Sequence, residues 1–334
     1  MIHTIYTRRQ FLKVSTVGAA AAYLTPVTGS SPAYAALPAS LVITSIHRGL
    51  VDANERINFR TVRTVVDETL LALTNTRSIQ DAWAAIFPKL QSSDVIGIKV
   101  NCINRRHSSH PEVVYAIAES LSASLHFNPN NLLIWDRTSS ELMRAGYEMN
   151  TGKSGIRCLA TSDGIGYDRH APVEVGHGKT VHLSKILSQM CTYLINVPVL
   201  KDHGTAGLTL SLKNHYGSID RPGSCHGGGC DPYIANLNAA PLIREKTALI
   251  VCDAIFGIYQ GGPMGAPQWI AHQILAGTDP VALDTVGMGL IDVKRQEKGI
   301  ASVSQRISYL HTASRLGIGT NNPDQITTIE QKLG

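Results

Sequence analysis

Short apolar runs rich in β-branched residues recur along the chain with helix-like segments between them, and that alternation narrows the choice of fold sharply. The runs are LVITSI (41–46), DVIGIKVN (94–101), LLIWD (132–136), YLINVPV (193–199), LTLSLKN (208–214) and ALIVCDAI (248–255). Most lack the polar alternation of a strand with one wet face, so they predict strands buried on both faces. NFRTVRTVVDETLLAL (58–73) and HPEVVYAIAESLSASL (110–125) carry helical spacing, the second with Pro111 in its first turn. A further helix is expected from Thr278, where a capping Thr278 or Asp279 precedes Pro280. Strands alternating with helices predict an α/β fold: a mainly parallel β-sheet flanked by helices, in a single large domain.

In open α/β sheets, ligands sit beyond the carboxyl ends of the strands. Those ends carry polar residues here: Lys99 and Asn101 at the second run, Asp136 at the third, Lys201, Asp202 and His203 after the fourth, and Asp253 in the sixth. Asp136 and Asp253 also suit a turn or a helix cap. Lys99 and Asn101 do not, because they lie in an otherwise apolar strand. With Arg105, Arg106, His107 and His110 they precede a helix whose N-terminus favours negative charge. Arg105 and Arg106 fit a solvated basic loop equally well.

At the N-terminus, Arg8 and Arg9 stand ahead of a short, mildly apolar stretch that ends in Ala33-Tyr34-Ala35. This is the order of a twin-arginine export signal cleaved near Ala35, which leaves 36–334 as the α/β domain. The expectation is a periplasmic protein, handled by the twin-arginine export machinery and without a stable membrane span after cleavage. Removing residues 1–35 takes away Arg8, Arg9 and Lys13 and no acidic residue, so the formal net charge falls by three, from +5 to +2. Without a clustered basic excess, nucleic acid is excluded as a partner.

The segment 201–232 concentrates Lys201, Asp202, His203, Lys213, Asn214, His215, His226 and Asp231. Two lysines and a run of glycine amides suit a carboxylate or phosphate, so Lys99, Asn101, Lys201, Lys213 and Asn214 are the candidate ligand-binding residues for a small anion. His203, His226 and Asp253 are the candidate acid/base groups. A divalent metal is the competing use of the same region, with His203, His215, His226, Cys225 and Cys230 as candidate ligands. Their spacing makes no local chelate, so the fold would have to bring them together. Cys225 and Cys230 enclose His226 and three glycines, which let the chain curl back. In an oxidising compartment a Cys225–Cys230 disulfide is favoured over zinc. The chain has no Gly-x-Gly-x-x-Gly after its first strand, no Gly-x-Ser-x-Gly and no His-Glu-x-x-His, so neither a dinucleotide-binding dehydrogenase nor those hydrolase classes have support.

GIKVN (97–101), HPEVV (110–114), NVPVLKDH (196–203), LTLSLKNHYGSI (208–219), CDAIFG (252–257), GGP (261–263) and TDPVALD (278–284) follow one another in fixed order. This succession resembles the domain-of-unknown-function 362 family in its long, exported bacterial form, over roughly residues 90–295. The resemblance implies no particular activity. Some members of that family carry iron–sulfur ligand runs of closely spaced cysteines; this chain carries none, and no iron–sulfur cluster is expected. Two functions fit. One is an enzyme whose crevice takes a small anionic molecule, with acid/base or metal-assisted redox chemistry. The other is a non-catalytic periplasmic carrier of a small anion or metal. Carriers of that kind are commonly built of two similar lobes, and the absence of a duplicated pattern favours the enzyme.

Overall fold

The computed structural model describes residues 40–334 apart from Lys153, so the twin-arginine stretch and its cleavage point lie outside the described residues. The first apolar run forms β1 (Leu41–Ile46). Asn58 accepts from the Thr61 amide and so starts α1 (Phe59–Thr74), and Ser78 does the same for Asp81 at α2 (Ile79–Ile86). Two crossovers follow: β2 (Ile96–Lys99), α3 (Pro111–Leu125), β3 (Leu132–Asp136), α4 (Ser139–Arg144) and β4 (Arg157–Ala160). A separate hairpin, β5 (Tyr167–Gly176) and β6 (Lys179–Ser184), leads into β7 (Tyr193–Asn196), β8 (Val199–His203), β9 (Gly207–Thr209) and the single turn α5 (Ser211–Asn214). The chain closes through α6 (Tyr233–Ala239), α7 (Pro241–Lys246), β10 (Thr247–Ile258), β11 (Trp269–Gly277), α8 (Pro280–Glu297), α9 (Tyr309–Arg315) and β12 (Thr327–Lys332).

The main sheet runs in the order β12-β1-β11-β10-β7-β2-β3-β4, with β8 joining β10 beyond the end of β7 and β9 pairing with β8. From β10 to β4 all neighbours are parallel, as the apolar runs predict. The exceptions are β11, antiparallel to both β10 and β1, and the short β9, antiparallel to β8. Successive residues leave a strand on opposite faces. Leu132 and Ile134 therefore meet the core under α1, α2 and α3, while Leu133 and Trp135 meet a second core that holds residues of α6, α8 and α9. Burial on both sides is why these strands read as continuous apolar runs.

Two runs depart from their sequence reading. YLINVPV is split into β7 and β8 at Val197-Pro198, because Pro198 has no amide to give to a ladder. LTLSLKN is strand only to Thr209, and Ser211–Asn214 turns into α5. The cause lies 73 residues downstream: the Asp284 carboxylate in α8 accepts from the amides of Ser211 and Leu212 and from the Ser211 hydroxyl, which starts a helical turn there.

Candidate functional site

Lys99 ends β2 and is fully buried. Its ammonium donates to Asp136 Oδ1 at 2.7 Å and to the Val100 carbonyl at 2.5 Å. Asp136, at the end of β3, also accepts from the Cys102 amide at 2.7 Å. This carboxylate, equally suited to a turn on sequence grounds, is the counter-ion of a buried lysine. Gly217 seals the pair: a Cβ there would lie 2.7 Å from both Asp136 Oδ1 and Lys99 Nζ.

A relay of amides lies beside it. Lys201 Nζ, fully buried on β8, donates to Asn101 Oδ1 at 2.7 Å. Asn101 Nδ2 donates to Asn214 Oδ1 (3.0 Å), Asn214 Nδ2 to Asn196 Oδ1 (2.7 Å), and Asn196 Nδ2 to the Ser211 carbonyl (2.9 Å). Each amide accepts at one end and donates at the other, so the direction of the chain is set throughout. Among the described residues no carboxylate pairs with Lys201, and burial pulls its pKa down to about 7, with Lys99 adding repulsion against the opposing pull of Cys102 and Asp136.

Asp253 is fully buried in β10 and faces the start of α3. His110 precedes that helix with no cap from its own side chain; its backbone amide (2.8 Å) and its ring Nδ1 (2.7 Å) both donate to Asp253 Oδ2. Nδ1 therefore carries the hydrogen and Nε2 is left without a protein partner among the described residues. Burial acts to lower the His110 pKa, but the Asp253 charge and hydrogen bond outweigh it and hold the ring above its ordinary value. The imidazole side chain is 20% exposed and lines an open cleft of about 420 Å³. Arg106, Glu55, Phe256, Gln268 and Trp269 share that lining. The exposed Arg106 guanidinium forms no ion pair among the described residues.

The glycine loop closes over a third group. His226 Nδ1 donates to the Pro222 carbonyl at 3.0 Å, which leaves Nε2 as a lone pair, 3.2 Å from Lys213 Nζ. The same ammonium lies 3.3 Å above the Tyr216 ring centre. His203 stacks on His226 with ring centres 5.7 Å apart and accepts from the Thr205 and Ala206 amides through Nδ1. Burial pulls Lys213 down to about 7, and burial with the charge of Lys213 takes His203 to about 3.

The disulfide expected between Cys225 and Cys230 is not formed. Both are free, buried thiols. Gly228, Gly229 and Cys230 all turn through positive φ, so the chain curls as a left-handed turn, and Cys225 Sγ faces back towards Ser224 and the Arg221 carbonyl. The metal ligand set is not assembled either: among the described residues no three His, Cys, Asp or Glu side chains converge in a way that could hold a metal ion. His215 is the reason for part of that. It packs within reach of Ser218 and the Lys99 charge, while His203 and His226 stack together near Lys213.

The candidate residues thus fall into linked groups. Asn101, Lys201 and Asn214 are joined directly, and Asn214 Nδ2 also reaches the Lys99 carbonyl at 3.5 Å. Lys213, His203 and His226 form a group of their own, and Asp253 belongs to His110 at the cleft. Sequence reading missed Asn196, Tyr216 and Gly217 as parts of this layer; it placed His110 and Arg106 beside a helix start that favours an anion but did not count them among the catalytic or ligand-binding residues. The HPEVV stretch carries the one available signal for His110, a histidine at the N-cap where Ser, Thr, Asp or Asn is usual.

Fold and site together define an α/β protein whose buried polar residues gather at the carboxyl ends of a mainly parallel sheet. The chain belongs to the family described as Domain of unknown function (DUF362), whose model matches residues 96–289. That stretch runs from β2 into α8 and contains every residue of the site described above except Glu55. No curated protein shows significant sequence similarity to the chain. A structural-genomics crystal structure of a Thermotoga maritima protein is similar at 10% identity over 71% of this chain, with a TM-score of 0.31. This chain spans 58% of the length of that one. No helix among the described residues is long and apolar enough to cross a membrane.

Proposed function

We propose that the protein is an exported acid/base enzyme that acts on a small anionic substrate in the cleft beside His110. The observation that carries this is the Asp253–His110 dyad. A fully buried carboxylate fixes one ring nitrogen, and the other is left free on a ring that borders open space. In that arrangement Asp253 sets the tautomer and favours the protonated ring, so Nε2 can take and return a proton at the substrate. Arg106 supplies the fixed positive charge for a carboxylate or phosphate on the same substrate. Phe256 and Trp269 offer apolar walls. Export rests on the paired Arg8 and Arg9 ahead of Ala33-Tyr34-Ala35.

A panel of small carboxylates and phosphate esters, screened by thermal shift and then for turnover, tests the reading. A stabilising anion should lose its effect in Arg106→Ala, and His110→Gln should bind it while turnover falls at least about 100-fold, the usual contribution of a positioned acid/base group. Equal turnover in His110→Gln would remove the catalytic role. Binding without turnover in the native protein would favour the carrier instead.

A further inference from the structure

Three other buried or half-buried amines in this chain show how a lysine is ordinarily satisfied. Lys99 has a carboxylate at 2.7 Å; Lys246 donates to the carbonyls of Leu187, Ser188 and Cys191 at 2.7, 3.1 and 2.8 Å; Lys201 reaches Asn101 Oδ1 and the His107 carbonyl at 2.7 and 3.3 Å. Lys213 has none of these. It is 6% exposed, and its one hydrogen-bond partner among the described residues is the lone pair of a histidine nitrogen. Its other close neighbour is the face of the Tyr216 ring. An ammonium with three N–H groups is poorly served by one basic nitrogen, whereas a neutral amine next to a proton acceptor is well served.

We propose that Lys213 is a condensing amine that forms a Schiff base with a small aldehyde or ketone, with His226 Nε2 as its proton carrier. The Nζ lone pair attacks the carbonyl carbon, a C–N bond forms, and the C=O π pair moves to oxygen. His226 takes one amine proton and delivers it to that oxygen to give the carbinolamine. The second amine proton follows the same route, the hydroxyl leaves as water, and the C=N bond remains; no oxidant or reductant is consumed. Pro222 holds the imidazole for this work by accepting from Nδ1, and His203 stacks behind it. Burial that leaves Lys213 near 7 keeps a large share of it as the free amine at neutral pH. The glycine loop beside it is exposed at Gly227 and Gly228 and His226 is half-buried, while Lys213 is buried, so only a small carbonyl compound would reach the amine from that side. This chemistry is separate from the His110 cleft and stands without it.

Glyoxylate with cyanoborohydride is the probe, followed by digestion and peptide mass analysis of the intact, folded protein. Lys213 should gain a carboxymethyl group at least about tenfold faster than the exposed Lys89 and Lys298, since a desolvated lysine has the larger free-amine fraction. That preference should vanish when the same chain is labelled in denaturing urea, and His226→Gln should slow Lys213 labelling at least about fivefold with the surface lysines unchanged. Labelling that simply follows exposure in the folded protein, with Lys213 among the slowest, overturns the proposal; so does a preference that survives in urea. The wild-type comparison needs no variant to fold.

Discussion

His110 owes its orientation to a carboxylate 143 residues away in the sequence, and the consequence is a titration that Asp253 controls. Since Asp253 raises the ring's pKa while burial opposes it, Asp253→Asn should drop the His110 titration below its ordinary value of about 6.5, readable in NMR chemical shifts of the ring. An unchanged titration would mean that the contact does not form. The raised histidine also contributes stability that is fully present below about pH 6.5 and lost as pH rises through its folded value. Lys99 makes a different case. Lys99→Met leaves the Asp136 carboxylate buried beside Gly217 without its cation, and removing one partner of such a pair costs about 3–5 kcal/mol in urea unfolding. The position of Lys99 in an apolar strand announced something unusual from sequence alone. Its partner did not announce itself, because an aspartate at a strand end serves a turn equally well until the neighbouring strand is known.

At the scale of elements, the parallel strands were legible because burial on both faces removes polar residues from them, and the starts of α3 and α8 were legible through Pro111 and Asp279, whereas the short α2 and its Ser78 cap went unread. β11 was not legible, since half of Trp269–Gly277 is only partly buried and mixes histidine and glutamine with its apolar residues. The amide relay was also out of reach: Asn101 and Asn214 meet across 113 residues, and nothing local distinguishes a relay asparagine from a turn asparagine. β10 and β11 meet at one especially close point, Gly257 opposite Trp269, where a Cβ would lie 2.3 Å from the indole. Gly257→Ala must therefore push the Trp269 ring away, and that ring is a wall of the His110 cleft. The expected cost is about 1–3 kcal/mol, with a shift in tryptophan fluorescence on folding and weaker binding of whichever anion the cleft takes. Unchanged stability and emission would show that the wall yields freely.

For the whole molecule, the buried polar layer sets how stability responds to pH. Burial is the main cause that holds His107, His203 and His215 to about 3, against about 6.5 in the unfolded chain, so below pH 6.5 the unfolded state binds up to three protons that the folded state refuses. His226 and His272 are lowered too and act in the same direction. Opposing them is Asp284, which burial raises to about 7 despite its bonds from Ser211 and Leu212, so that between about pH 4 and 7 the folded state holds a proton the unfolded chain has released. Asp202 and Asp279, also raised, add to that side, and so does the raised His110 as pH climbs from 6.5 through its folded value. The histidines outnumber and outreach the carboxyls, which leaves a net uptake of about two protons on unfolding near pH 5 and a loss of roughly 2–3 kcal/mol per pH unit on acidification there. On the other side of neutrality Lys201 and Lys213, both near 7 when folded, keep their protons in the unfolded chain, so stability should go on rising from pH 7 to about 8.5 before the buried thiols begin to oppose it. Urea midpoints measured at intervals from pH 4.5 to 8.5 should therefore climb throughout. A maximum at or below pH 6 would mean that the histidines and lysines of this layer are charged in the folded protein, with anions present to meet them.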